Sequence, residues 1–393
     1  MNGKRQAEEF LSNELKELRA RDRLRSLELP AGVNLCSNDY LALSTHSALR
    51  TAVLDAIQNG ARMASTGSRL LSGHAVEWEA LEKEFAEFAG VEAALFFGSG
   101  YAANLGVLSS VAGKSDVIFS DALNHASLID GIRLSGAQKF IYGHRDLNSL
   151  EDGLRAHAAS AARKFIVTES LFSMDGDFAP LAEICALAER YGAAVIVDEA
   201  HAVGVFGPKG RGCVAEAGLS EIVFASIYPC GKALASAGAF VCGSAAMKEF
   251  LINRARTFIF STALPPYFAA QISAALALVR DADAARDHLI GMAREFREAL
   301  RRAEINIGAS ESQIVPVIVG DNAAAMRCAE LLANAGFAAR AIRPPTVPEG
   351  AARVRISLTC ALDAAIVRRL ATELIGICAR VREGYAAASA AAR

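Results

Sequence analysis

The chain has no marked excess of either charge. Its 41 lysines and arginines stand against 43 aspartates and glutamates, a net charge of -2, so composition advertises neither nucleic acid nor a membrane surface as a partner. There is also no apolar run long enough to cross a bilayer. The longest candidate, residues 267–279, is broken by Gln271 and Ser273 and stops at Arg280, which suits a core helix instead. No Cys-x-x-Cys pair occurs among the eight cysteines at 36, 185, 213, 230, 242, 328, 360 and 378. That spacing supports neither a disulfide framework nor a zinc site and fits a reducing cytoplasm. The first 26 residues are too charged for a signal-peptide apolar region. A P-loop motif and internal repeats are absent as well.

What is present describes a folded globular chain. Of 393 residues, 52% are hydrophobic and 21% charged, enough apolar surface for a large core in two or three domains. Residues 5–27 place Phe10, Leu11, Leu15 and Leu18 at helical spacing among charges, predicting an amphipathic helix that docks on a larger body. From about residue 78 short apolar runs alternate with helical segments, the pattern of a parallel sheet wrapped by helices. Predicted strands are 93–98, 116–120, 138–142, 165–169, 193–198, 222–227 and 239–243. Pro180 opens the helix between 169 and 193, and Gly192 closes it. A right-handed crossover there would set Glu169 and Asp198 at the carboxyl ends of neighbouring strands, where open α/β sheets bind ligands. After a helical region at 264–303, residues 313–320 and 352–359 form the sheet of a smaller domain. The expected partition is an arm at 1–50, a large domain at 51–285 and a small C-terminal domain at 286–393. Residues 382–393 read as a frayed tail.

Three features carry chemistry. In FFGSGYAAN (97–104) two glycines and a serine sit between a strand and a helix, where backbone N–H groups and the helix dipole can hold a phosphate; by itself such a turn is equally often only a turn. Asp198 and His201 in VDEAHAVG place a carboxylate at a strand end, able to hold a protonated heterocycle nitrogen or, in the plainer reading, to cap a loop. Metal binding ranks low, because the histidines at 46, 74, 144, 157 and 288 offer no ligand-spaced partners. Lys232 lies among small residues in SIYPCGKALASAGAF (226–240); crowding disfavours its ammonium, as an imine-forming amine requires, although most lysines are solvated surface groups. A phosphate turn, an acid at a strand end and a following lysine are the parts of a pyridoxal phosphate site.

The segments SNDYLAL (37–43), STGSRLLSGH (65–74), GSGYAAN (98–104), NHASLIDG (124–131), TESLFSMDGD (168–177), VDEAHAVGVFG (197–207), GKAL (231–234), FIFSTALPP (258–266) and IRPPTVP (342–348) extend this reading over nearly the whole chain. Together they resemble the α-oxoamine synthases, pyridoxal phosphate enzymes of the aspartate-aminotransferase fold type I. The resemblance implies an α/β fold in which the large domain holds pyridoxal phosphate on a mainly parallel seven-stranded sheet, with a smaller α/β C-terminal domain. It implies that Lys232 carries the cofactor covalently and moves the Cα proton, that Asp198 pairs with the ring nitrogen, that His125 stacks on the ring face, and that His201 hydrogen-bonds the phenolate oxygen. Ser99, Gly100 and Tyr101 would form the phosphate cradle, and Thr262 would reach the phosphate of a neighbouring subunit. Asn38 and Arg355 would hold the amino-acid carboxylate, with a guanidinium fork suited to it. Glu169 and Ser173 would line the acyl-transfer region, with Arg25 and Arg343 set for the distal carboxylate of the acyl chain or for the external aldimine.

IRPPTVP tilts the implied substrates toward L-alanine and a pimeloyl thioester, on coenzyme A or on an acyl-carrier protein, in a cytoplasmic homodimer whose active site lies at the subunit interface. The alternatives are glycine or serine with another acyl-CoA, or a paralogue without cofactor or activity. Two departures motivate the last: Pro229 occupies the place of the family's usual threonine, and Ala235 that of a usual glycine. Proline supplies neither hydroxyl nor N–H, so one contact is gone or comes from another residue such as Tyr228 or Ser226.

Overall fold

The computed structural model describes residues 2–158 and 162–391. Their contacts divide the chain into two compact units. The larger, Asn38–Ser173 with Phe178–Asp287, is built on seven strands: β1 (Ala93–Phe97), β2 (Val117–Asp121), β3 (Gln138–Tyr142), β4 (Lys164–Glu169), β5 (Ala193–Asp198), β6 (Ala225–Pro229) and β7 (Ala239–Gly243). Their order across the sheet is β1-β7-β6-β5-β4-β2-β3. All neighbours run parallel except β7, which is antiparallel to both β1 and β6. The central strands are apolar on both faces, as a sheet covered by helices on both sides requires. On one face Phe97, Ile118, Val167, Ile196 and Ile227 meet Val107 and Leu108 of the helix Gly100–Val111. On the other, Phe85 stacks on Phe240 at 3.9 Å and Trp78 on Phe96 at 4.5 Å between ring centroids. A glycine is required before β7: Gly238 has φ 83°, and a Cβ there would lie 2.1 Å from Cζ of Phe96.

The expected crossover is present. β4 and β5 pair in parallel with Glu169 opposite Asp198, joined through the helix Leu181–Tyr191, which Gly192 ends in the left-handed conformation. Pro180 is the capping residue just before that helix and not its first residue. β3, β5 and β7 span the residues predicted. β6, by contrast, begins at Ala225 and not at 222. Its pairing with β5 is set by Ala225 opposite Ile196, and the apolar run 222–225 contains no mark of where pairing starts.

The other unit gathers the N-terminal segment to Ser37, Met174–Asp177 and the chain from His288. Strands Ile314–Gly320, Ala352–Ser357 and Arg340–Ile342 form an antiparallel sheet with Ala352–Ser357 in the middle, while Val33–Asn34 pairs in parallel with Phe337–Ala338. Helices Asn322–Asn334 and Ala364–Ala391 accompany them. The latter corrects the expected frayed tail: the alanine-rich end is helix to Ala391, as its high helix propensity favours, and only 392–393 lie outside the described residues. The N-terminal helix is Asn2–Ala20, shorter than predicted. It ends because Asp22 adopts φ 52° and the N–H groups of Arg23 and Leu24 turn back to the carbonyl of Leu18. Its Phe10, Leu11, Leu15 and Leu18 are all exposed, so the predicted docking face is uncovered. Among the described residues no helix is long and apolar enough to cross a membrane.

Candidate active site

The carboxyl edge of the larger unit's sheet collects most of the candidate residues, because parallel strands release their following loops on one side. β1 leads into the helix that starts at Gly100, β4 ends in Glu169, β5 ends in Asp198 with His201 just beyond, and the loop after β6 carries Lys232. Two hydrogen-bonded chains result.

The first runs through Lys232. Its Nζ lies 3.0 Å from Nε2 of His201, whose Nδ1 lies 2.6 Å from Oη of Tyr40. Tyr40 in turn donates to Oδ1 of Asn38 at 3.2 Å. Tyr40 and His201 are buried, so their polar atoms depend on one another and not on bulk water. Asp39 fixes this corner by accepting from the N–H groups of Leu43 (2.9 Å) and Ser44 (3.0 Å), an aspartate-closed turn.

The second runs through Asp198. Its Oδ1 accepts from the N–H of Ala200 at 2.9 Å and its Oδ2 from Nδ2 of Asn104 at 2.7 Å. Asn104 also donates to Oγ of Ser127 at 2.8 Å, and Ser127 lies 2.7 Å from Nδ1 of His125. His125 caps the helix Ala126–Ser135, its Nδ1 accepting from the N–H of Ser127. That bond leaves Nε2 as the protonated nitrogen of the neutral ring. Burial lowers the His125 pKa; Asp198 opposes the shift and Lys232 adds to it. The residue is therefore biased toward a neutral, oriented imidazole.

Glu169 faces the reverse problem. Burial and the charge of Asp198 push its carboxyl up to about 8, against the pull of Lys232 and of the N–H groups of His125 and Ser173. Its Oε1 is buried with no partner among the described residues, as a protonated acid kept for a ligand would be. Glu199, next to Asp198, is occupied structurally: its carboxylate accepts from the N–H groups of Cys213 and Val214 and from Ser170.

At the cradle, Ser99 caps its helix by accepting from the N–H of Ala102 at 3.1 Å. Tyr101 turns its hydroxyl to Asp130, so what it offers an anion is its backbone. A Cβ on Gly100 would lie 2.8 Å from Cγ of Pro229, so only a glycine leaves this turn open. Pro229 thus packs beneath the cradle. The expectation that Tyr228 or Ser226 replaces the lost threonine is corrected by strand alternation: both lie on the opposite face of β6 from Pro229, buried, with Tyr228 against Phe85. Thr262 is exposed and shares a small cavity with Gly98 and Arg69.

The remaining candidates belong to the other unit. Arg355 is buried in the strand Ala352–Ser357, opposite Pro316 and Arg340. Arg343 donates to the carbonyls of Asp22 and Leu24; burial and the neighbouring charge of Arg25 lower its pKa. Arg25 reaches Thr346 at 3.3 Å. Tyr40, Asn104 and Ser127 escaped the sequence reading as site residues. Asn104 left one signal, a lone amide on the apolar face of the helix beside Ala103, Val107 and Leu108.

This donor set fits pyridoxal phosphate: an amine for an aldehyde, a buried carboxylate for a ring nitrogen, imidazoles at Nε2, and a glycine turn at a helix N-terminus for a phosphate. The chain matches the family Aminotransferase class I and II over residues 30–374. The 8-amino-7-oxononanoate synthase of Aromatoleum aromaticum is 47% identical over 342 residues, 86% of this chain and 87% of that one. Among solved structures, 8-amino-7-oxononanoate synthase from Francisella tularensis is 30% identical with a TM-score of 0.78, covering 90% of this chain and 99% of that one. Serine palmitoyltransferase from S. paucimobilis, solved with a bound PLP-myriocin aldimine, is 27% identical with a TM-score of 0.86, covering 94% and 97%.

Proposed function

The chain belongs to the aminotransferase class I and II family, and from that premise we propose that it is a pyridoxal phosphate-dependent acyltransferase that condenses L-alanine with a pimeloyl thioester to 8-amino-7-oxononanoate in biotin synthesis. Carbon dioxide and the thiol carrier, coenzyme A or an acyl-carrier protein, are released. The observation that carries the reading is Nζ of Lys232 at 3.0 Å from His201, on the sheet edge where Asp198 and Glu169 end adjacent strands. The 47% identity to a named synthase adds the substrate class.

Pyridoxal phosphate, when bound, supplies an aromatic ring that withdraws electrons from the bonds at Cα. The chain supplies everything else. Lys232 would tether the cofactor and supply the amine that moves the Cα proton. Asp198, fixed at both oxygens, would hold the ring nitrogen protonated. His125, fixed by its cap, would lie against the ring. His201 would bond the phenolate oxygen, and Ser99, Gly100 and Tyr101 would hold the phosphate. Asn38 and Arg355 are assigned to the substrate carboxylate, Glu169 and Ser173 to the acyl-transfer region, and Arg25 and Arg343 to the distal end of the acyl chain. We place the enzyme in the cytoplasm as a homodimer in which Thr262 serves the neighbouring subunit's phosphate. Its arm is 1–50, its cofactor domain 51–285 and its small domain 286–393.

The likeness to serine palmitoyltransferase favours a second reading, serine with a longer acyl-CoA. One experiment tests both: purified protein is given pyridoxal phosphate, then alanine, glycine or serine with a panel of acyl thioesters, and carbon dioxide release is followed. The expected result is a visible absorbance band lost in Lys232→Ala and a preference for alanine with pimeloyl thioester. A wild type that takes up no cofactor overturns the enzyme; preference for serine or glycine overturns the substrate.

A further inference from the structure

Tyr40 has no role in the assignments above, yet it is fully buried and touches His201, whose other ring nitrogen lies 3.0 Å from Nζ of Lys232. The segment holding it is rigid, because Asp39 binds two backbone N–H groups of the following turn and the N–H of Tyr40 bonds the carbonyl of Asn38 at 2.8 Å. Its phenol ring is tilted against the His201 ring, with centroids 6.1 Å apart.

Counting protons along the chain gives the phenol a task. An ammonium only donates, so with Lys232 charged Nε2 of His201 must accept. The neutral imidazole then carries its hydrogen on Nδ1 and donates it to Oη of Tyr40, which passes its own hydrogen to Oδ1 of Asn38. When Nζ is committed to the cofactor it no longer presses a proton on Nε2. For Nε2 to donate to a phenolate oxygen, Nδ1 must become the acceptor, and the hydroxyl of Tyr40 must turn from Asn38 to His201. A phenol can do both without moving a heavy atom, since its oxygen accepts and its hydrogen rotates. No other residue type of this shape can.

We propose that Tyr40 is the positioning residue of this site: its hydroxyl supports either tautomer of His201 and lets the ring exchange them as Lys232 passes between its free and its cofactor-bound state. The inference rests on the reading of Lys232 as the tether. It concerns a residue that reaches Lys232 through the His201 ring, 2.6 Å from its hydroxyl.

The test is nitrogen NMR of histidine-labelled protein, with His201 assigned by His201→Gln, together with the rate at which added pyridoxal phosphate produces its visible band. Expected for the wild type is the Nδ1-protonated tautomer before loading and the Nε2-protonated one after it. Expected for Tyr40→Phe, which keeps the ring and the fold as judged by circular dichroism, is a mixture of tautomers that does not switch, and loading slowed about tenfold for the lost buried hydrogen bond. An unchanged tautomer in the loaded wild type, or loading of Tyr40→Phe at the wild-type rate, overturns the proposal. If the wild type takes up no cofactor, the tether reading fails by itself. Lys232→Met then decides the relay without cofactor: removing the ammonium switches His201 to the Nε2 tautomer if the relay exists and leaves it on Nδ1 if it does not.

Discussion

Glu169 shows how one residue's surroundings become a measurable property of the whole chain. A carboxyl that sits near 4.5 in the unfolded chain is pushed up to about 8 in the fold by burial and by Asp198. The folded state therefore holds a proton between those values that the unfolded state has lost. Stability from this group is complete below about 4.5 and is lost as pH rises toward about 8. Glu169→Gln, a neutral mimic of the protonated acid, removes the titration. In cofactor-free protein its thermal midpoint should therefore gain on the wild type as pH is raised from 5 to 8.5. A constant difference between the two proteins across that range shows that Glu169 does not titrate there.

At the scale of elements, the turn from Cys230 to Gly238 that carries Lys232 is held by Cys230 accepting from Ser236 and donating to Gly238. Ala235 within it adopts φ 45°, a left-handed conformation in which a Cβ crowds the following carbonyl. Ala235→Gly removes that crowding at some entropic cost, and we expect a net stabilisation of about 1 kcal/mol in denaturant midpoint; destabilisation would show that the alanine methyl contributes packing that outweighs the strain. The sequence marks such a site without showing its geometry. Apolar runs bounded by turn residues located β3, β5 and β7 because Gly or Asp punctuates them, and failed at the start of β6, where 222–225 is apolar throughout. The three short strands of the smaller unit, 33–34, 337–338 and 340–342, hold too few residues for any period to register. The site was legible where chemistry demands an unusual residue, Lys232 or Asp198. It was not legible at Tyr40 and Ser127, which look like any aromatic or hydroxyl until the fold sets them 2.6 Å and 2.7 Å from a histidine nitrogen.

For the whole molecule the open question is whether one chain suffices. Thr262 is exposed, as is Phe260 two residues before it, a place suited to meeting a second copy, and the phosphate contact proposed for it would work in trans. Complementation separates the arrangements. Chains carrying Lys232→Ala, inactive by themselves, are mixed in equal amounts with chains carrying Thr262→Ala, weakened in holding cofactor, and allowed to exchange at limiting pyridoxal phosphate. If Thr262 serves the neighbour, half the dimers are mixed, and each has one site with an intact lysine and an intact threonine. About a quarter of all sites are then restored, by the symmetry of a two-fold pair. If Thr262 serves its own chain, no intact site arises from mixing, and the activity never exceeds that of the diluted Thr262→Ala protein. Light scattering on the same samples supplies the mass, expected at twice the 41.4 kDa of one chain; a mass of one chain would remove the partner on which the contact in trans depends.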